Sequence, residues 1–330
     1  MSETATVVPI AAAKENRIRK LSLLAYGASG VGKTTQFRYF SKYVWEKYQL
    51  KSRFICLDGG SLWECVQDYV DEGFVIPLQI PVTSEYNPFA VMRKIGRGEW
   101  PENNLINMPT AVKSGNTIQW KTNTKWNPLT AKEAATLGLI GTDSLTGYSS
   151  ALLFDMSVKN IRKGSDSGGG AREEEGELAG SNTISHYGDV QNEIKNYLNS
   201  IVALPVPFAY FTALEDGGLE NTTGSKRPVF GPQIAGSAAT GEIPKLVTNC
   251  FHLTADGAGT ARTVKAWFDE HEDATLPPKM KWKAKCSSLL PMQKMEFQKK
   301  NPGGFFPLDP RKGIRDFLDF RDWANEALKE

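Results

Sequence analysis

The sequence predicts an α/β protein: a mostly parallel sheet with helices on both faces, plus an insertion and a C-terminal helical extension. Three observations point there. Short apolar runs alternate along the chain with segments of helical periodicity. The first run, residues 21–26, leads into Gly27-Ala28-Ser29-Gly30-Val31-Gly32-Lys33-Thr34, which fits the phosphate-binding pattern G-x-x-x-x-G-K-[ST]. A later run, residues 137–142, is uniformly apolar or small and ends in Asp143-Ser144, as a strand buried on both faces does.

Residues 1–18 read as a flexible N-terminal arm, and residues 19–270 as the core. After the glycine loop, Phe37, Phe40 and Val44 recur at helical spacing, so a helix follows. Residues 54–58 read as a strand ending in Asp58 and the turn Gly59-Gly60, residues 62–69 as a short helix, and residues 75–82 as another strand. Residues 96–130, rich in Asn, Pro, Gly and Trp, break the alternation and read as an insertion; within it, residues 110–120 resemble a β-hairpin around Ser114-Gly115-Asn116. Helices are expected over 152–161 and 187–202, the second with Val190, Ile194, Tyr197, Leu198 and Ile201 on one face. Between them, residues 164–176 are low-complexity and are expected to be mobile when unliganded. A strand over 207–213, a polar glycine-rich loop over 215–241 and a strand over 246–253 complete the core. The tail, 271–330, is basic around 279–285 and ends in an amphipathic helix from about Lys312.

The glycine loop carries the clearest chemistry. Its glycines let backbone N–H groups turn inward around a phosphate at the positive end of a helix dipole. Gly27, Ser29, Gly30, Val31, Gly32, Lys33, Thr34 and Thr35 are the expected nucleotide contacts, with Lys33 on the β- and γ-phosphates and the Thr34 hydroxyl on Mg²⁺. Asp143, at a strand end, is the candidate second group on the metal side. Hydrolysis also needs a group that orients the attacking water. Asp58, Glu64 and Glu215 all qualify by position, and the Thr212 hydroxyl could sense the γ-phosphate.

The P-loop, the strand ending in Asp143-Ser144-Leu145-Thr146, His186-Tyr187-Gly188-Asp189 opening a helix, the strand over 208–213, and Gly231-Pro232-Gln233-Ile234-Ala235-Gly236 occur in that order. This series resembles the RecA-like nucleotide-binding proteins of bacteriophages, the ATPases linked to recombination and single-strand annealing. The resemblance covers roughly residues 20–290 apart from the insertion. It implies a RecA-like P-loop fold, ATP and Mg²⁺ as cofactors, and assembly of identical subunits as a filament or ring on single-stranded DNA. It also implies that a basic residue of one subunit completes the ATP site of the next, and Lys285 stands at the matching position. The implied DNA-contacting loops fall near 163–186, with Lys163 and Arg172, and near 215–236, with Lys226, Arg227 and Phe230. Glu173-Glu174-Glu175 in the first loop would repel phosphate. Two departures from the family pattern bear on turnover: no glutamate separates Asp58 from Gly59-Gly60, and Leu214 stands where the family carries a His or Gln sensor.

Composition sets the outer bounds. With 330 residues and 40% apolar content, the chain can bury a substantial core. A net charge of +2 selects no class of partner. No run approaches a membrane span, the polar N-terminus does not read as a secretory signal, and four cysteines lack metal-type spacing, so a cytoplasmic protein (of the host cell, if phage-encoded) is expected. Two functions remain in view: an ATPase that assembles on single-stranded DNA, and a nucleotide-dependent assembly switch with little turnover and no DNA. A small-molecule kinase is disfavoured, because the loop after residue 213 offers no clear basic lid.

Overall fold

The computed structural model describes residues 19–57, 64–81, 88–107, 110–114, 117–121, 124–163, 184–222, 225–236, 239–257, 262–272 and 280–326. In chain order the elements begin β1 (Leu21–Gly27), α1 (Lys33–Tyr48), β2 (Lys51–Cys56), α2 (Gln67–Asp71), β3 (Val75–Gln79) and α3 (Pro88–Gly96). The insertion holds β4 (Glu99–Pro101), β5 (Thr110–Ser114), β6 (Thr117–Lys121) and β7 (Trp126–Pro128). There follow α4 (Ala131–Thr136), β8 (Leu137–Asp143), α5 (Leu145–Lys163), α6 (Ile184–Ala203), β9 (Phe208–Ala213), β10 (Glu215–Thr222) and β11 (Ser225–Pro232). The rest comprises α7 (Ala239–Glu242), β12 (Asn249–Asp256), β13 (Thr263–Trp267), β14 (Lys285–Cys286), α8 (Pro291–Lys300), β15 (Phe305–Leu308) and α9 (Arg315–Glu326).

Among the described residues the central sheet runs β15-β13-β12-β1-β9-β8-β2-β3, with β14 also paired to β12. From β12 to β3 every pairing is parallel; β13, β14 and β15 add an antiparallel margin. The parallel strands are apolar on both faces because helices cover both. In β1, Leu24 and Tyr26 point to a core shared with α3, α5 and α6, while Leu21, Leu23 and Ala25 point to one shared with α1, α8 and α9. All seven β1 residues are buried. The strands over 137–143 and 208–213, and the helical face of Val190, Ile194, Tyr197, Leu198 and Ile201, lie where the apolar pattern puts them.

Three features differ from the sequence expectation. The polar stretch after β9 is an antiparallel hairpin, β10–β11, with Glu215 opposite Pro232 and Thr222 opposite Ser225. Its pairing is made by backbone groups, so side-chain hydrophobicity gives no signal. The strand expected over 246–253 begins at Asn249, because Ile243–Leu246 forms a 3-10 turn. The tail is woven into the main sheet through β14 and β15, and it contributes Phe297, Phe306 and Phe317 to the second core. In the insertion, β5 pairs with β6 around residues 115–116, and β4 pairs with β7. Trp100 is core, buried against Arg53.

Candidate nucleotide site

The glycine loop sits between β1 and α1, at the C-terminal edge of the parallel sheet, where ligands of open α/β sheets bind. Gly32 caps α1 with φ 95°, a left-handed conformation that glycine adopts at no steric cost. A Cβ on Gly27 would lie 2.3 Å from the Leu253 carbonyl oxygen of β12, so only glycine fits this close approach. Lys33 is buried, and its Nζ donates to the carbonyls of Gly27 at 2.8 Å and Ala28 at 2.7 Å. The Tyr210 hydroxyl on β9 donates to the Lys33 carbonyl at 2.6 Å. These bonds fix both the curl of the loop and the start of the helix.

Asp143 ends β8, which is separated from β1 by β9. Its carboxylate is buried and accepts two hydroxyl bonds. One comes from Thr34 at 2.5 Å, the other from Thr212 on β9. Thr34, Asp143 and Thr212, each proposed from sequence, are thus brought together beside Lys33. Two hard oxygens, one hydroxyl and one carboxylate, suit Mg²⁺, which favours few protein ligands completed by water and phosphate. Among the described residues no group of three or more His, Cys, Asp or Glu could hold a metal by itself.

The water-orienting candidates are placed differently. Asp58 lies outside the described residues. Glu64 is exposed and directly precedes Cys65. Burial pushes the Cys65 thiol up to about 11, and the nearby Asp143 charge adds to this. The turn is anchored to α1 by Arg38, which donates to the Cys65 carbonyl at 2.8 Å and pairs with Asp68 at 2.5 Å. Glu215 instead meets His252 of β12, Oε2 to Nε2 at 2.9 Å, while His252 Nδ1 lies 3.1 Å from His271 Nε2. His252 is buried and stacks on both Tyr26 and Trp282, with ring centroids at 4.9 and 4.2 Å. Leu214 donates its backbone N–H to Thr146 Oγ1 and its carbonyl accepts from Gln233, tying the end of β9 to α5 and to the exit of the hairpin.

Lys285 lies on β14, half-buried, with its Nζ on the Lys245 carbonyl at 3.2 Å; desolvation lowers its pKa. The Phe230 ring is half-buried and packs on Trp282 at 5.0 Å. Lys163 ends α5, and Lys226 and Arg227 lie on β11; the placement of these three side chains is outside the described set, as is Arg172 altogether. One contact escaped the sequence reading. Arg262, one residue before β13, donates to the Gly30 carbonyl of the loop at 2.7 Å. No spacing rule joins positions 232 residues apart.

No family model matches this chain, and no curated protein is similar to it. Among solved structures, a KaiC-like protein from the archaeon Pyrococcus horikoshii OT3 is 14% identical, with 75% of this chain and 77% of that chain covered and a TM-score of 0.36. So remote a likeness does not define the fold, which rests on the sheet order and the loop geometry. Among the described residues no helix is long and apolar enough to cross a membrane.

Proposed function

We propose that the chain is a RecA-like nucleotide-binding protein that binds ATP with Mg²⁺, hydrolyses it, and assembles with copies of itself on single-stranded DNA in phage recombination or replication. The observation that carries the nucleotide reading is the Thr34–Asp143–Thr212 cluster beside Lys33, at the C-terminal edge of a parallel sheet. The inward N–H groups and Lys33 would hold the β- and γ-phosphates. Thr34 and Asp143 would hold the metal, which when bound offsets the charge that develops on the phosphates. Thr212 keeps one carboxylate oxygen of Asp143 oriented. Glu64, next to the turn pinned by Arg38, is the preferred water-orienting group, since Glu215 is engaged by His252.

The DNA part of the reading is supported by position. The β10–β11 hairpin follows the C-terminal end of β9, at the edge of the sheet that carries the P-loop, and it holds Lys226 and Arg227; the connection between α5 and α6 lies outside the described residues. Lys285 is the proposed cation offered to a neighbouring subunit. The test is ATP turnover and sedimentation, each with and without oligo-dT. Both should rise with DNA; if neither changes, DNA-dependent assembly is wrong. The second reading, a nucleotide-dependent assembly switch, is favoured by the apolar Leu214 and by the His252-bound Glu215. It calls for ATP-driven oligomers without DNA and with almost no turnover.

A further inference from the structure

A second polar site lies away from the P-loop, where the insertion meets the sheet. Arg53 sits in the middle of β2, three residues before Cys56, the register partner of Asp143. The residue is only 9% exposed, and its guanidinium carbon lies over the ring of Trp100 of β4, 4.2 Å from the centroid. Arg53 Nη1 and Trp100 Nε1 are both buried, and neither has a hydrogen-bond partner. Arg53 and Trp100 stand at the base of a solvent-open cleft of about 110 Å³, lined also by Glu102, Asn103, Asn104, Asn127 and Glu133.

The chemistry of the two side chains constrains what belongs beside them. Arginine and the indole nitrogen donate and never accept. Their complement is an acceptor, and a buried guanidinium is left costly unless that acceptor also carries charge. Its planar fork matches the oxygens of a carboxylate or phosphate. The amides of Asn103, Asn104 and Asn127 can donate to the remaining oxygens. The cation–π contact with Trp100 holds the guanidinium in place, so little side-chain freedom is lost on binding. The cleft's volume suits a group the size of a phosphate or a short carboxylate. We propose that Arg53, Trp100 and the surrounding asparagines form a binding site for a small oxyanion, separate from the nucleotide site.

Two carboxylates oppose this. Glu102 also lines the cleft, with Lys125 at 3.8 Å from it. The Glu133 charge acts on Arg53, counter to the burial that lowers its pKa. Glu133 also caps α4, accepting from the Thr130 backbone at 2.9 Å. A glutamine can keep that cap without the charge. Neutralising this rim carboxylate should therefore tighten anion binding.

The test is thermal unfolding of the full chain in phosphate or acetate, against sodium chloride at equal ionic strength. Either anion should raise the midpoint, by roughly 2–3 °C once about tenfold above its dissociation constant. The rise should persist in Lys33→Ala, which disables the P-loop, and vanish in Arg53→Gln. In Glu133→Gln the dissociation constant should fall at least about threefold, as loss of a nearby like charge implies. The proposal is overturned if neither anion raises the midpoint beyond chloride, which means that the cleft holds solvent only. It is also overturned if the rise disappears in Lys33→Ala and survives in Arg53→Gln. Should Arg53→Gln not fold, Glu133→Gln decides: tighter binding supports the site, and unchanged affinity removes it.

Discussion

Lys33 and Asp143 act through their partners. Lys33 holds the loop through two carbonyls, and Asp143 is held by two threonines on different elements. Lys33→Ala should abolish ATP binding measured by calorimetry; retained affinity would remove the P-loop from the mechanism. A second carboxylate, Asp322 on α9, accepts from Lys47 at 2.5 Å and Tyr48 at 2.7 Å, and also from Tyr43. Burial works against its charge, but these bonds outweigh burial and hold its pKa below the ordinary value. Its folded pKa thus lies below the unfolded value near 3.9. Asp322 therefore stabilises the fold above that value, and the contribution is lost as pH falls through the folded pKa. Urea midpoints should drop as pH falls below about 4 in the natural chain. In Asp322→Asn part of that drop should be absent, with a lower starting stability at pH 7; identical profiles would contradict the assignment.

At the scale of elements, Arg262, just before β13, reaches the P-loop, and the β10–β11 hairpin reaches β12 through Glu215 and His252. Arg262→Ala should weaken nucleotide binding about two- to tenfold, the worth of one exposed hydrogen bond, in a fluorescent-nucleotide titration. No change would mean that the contact positions nothing. These links also mark the limit of what the sequence discloses. The strands β1, β8 and β9 and the helix α6 are legible because apolar residues recur at the period of the element. The hairpin over Glu215–Pro232 is not, since Glu215, Asp216, Gly217 and Gly218 carry no apolar alternation. Nor is α8, whose Met292 and Met295 are exposed while Gln293 is buried on the Ala324 carbonyl. In the site, Lys33, Thr34 and Asp143 are announced by local pattern. Arg262, Cys65 and His252 are not, because only the folded sheet brings them near the loop.

On the scale of the whole molecule, the C-terminal region closes one face of the sheet. Phe251 of β12 meets Phe306 and Phe317 edge-on at 5.7 and 5.0 Å, and Phe297 meets both. Removing residues 291–330 would strip this cluster and leave the β12 side of the core open to water. Losing three buried phenylalanines at about 3–5 kcal/mol each exceeds the stability of most domains. The truncated chain should be aggregated or unfolded by circular dichroism and sedimentation, and a cooperative melt would show that the sheet stands without its cover.

The lysine that curls the phosphate loop has a consequence for speed. Its ammonium is bonded to the loop's own first two carbonyls, Gly27 and Ala28, so the curvature is self-supporting, like an arch resting on its keystone. A nucleotide then meets a mould already cast, and the ordering cost of the loop falls on folding rather than on encounter. Association should follow a single phase, first order in nucleotide, without the slow isomerisation that a collapsing loop would add.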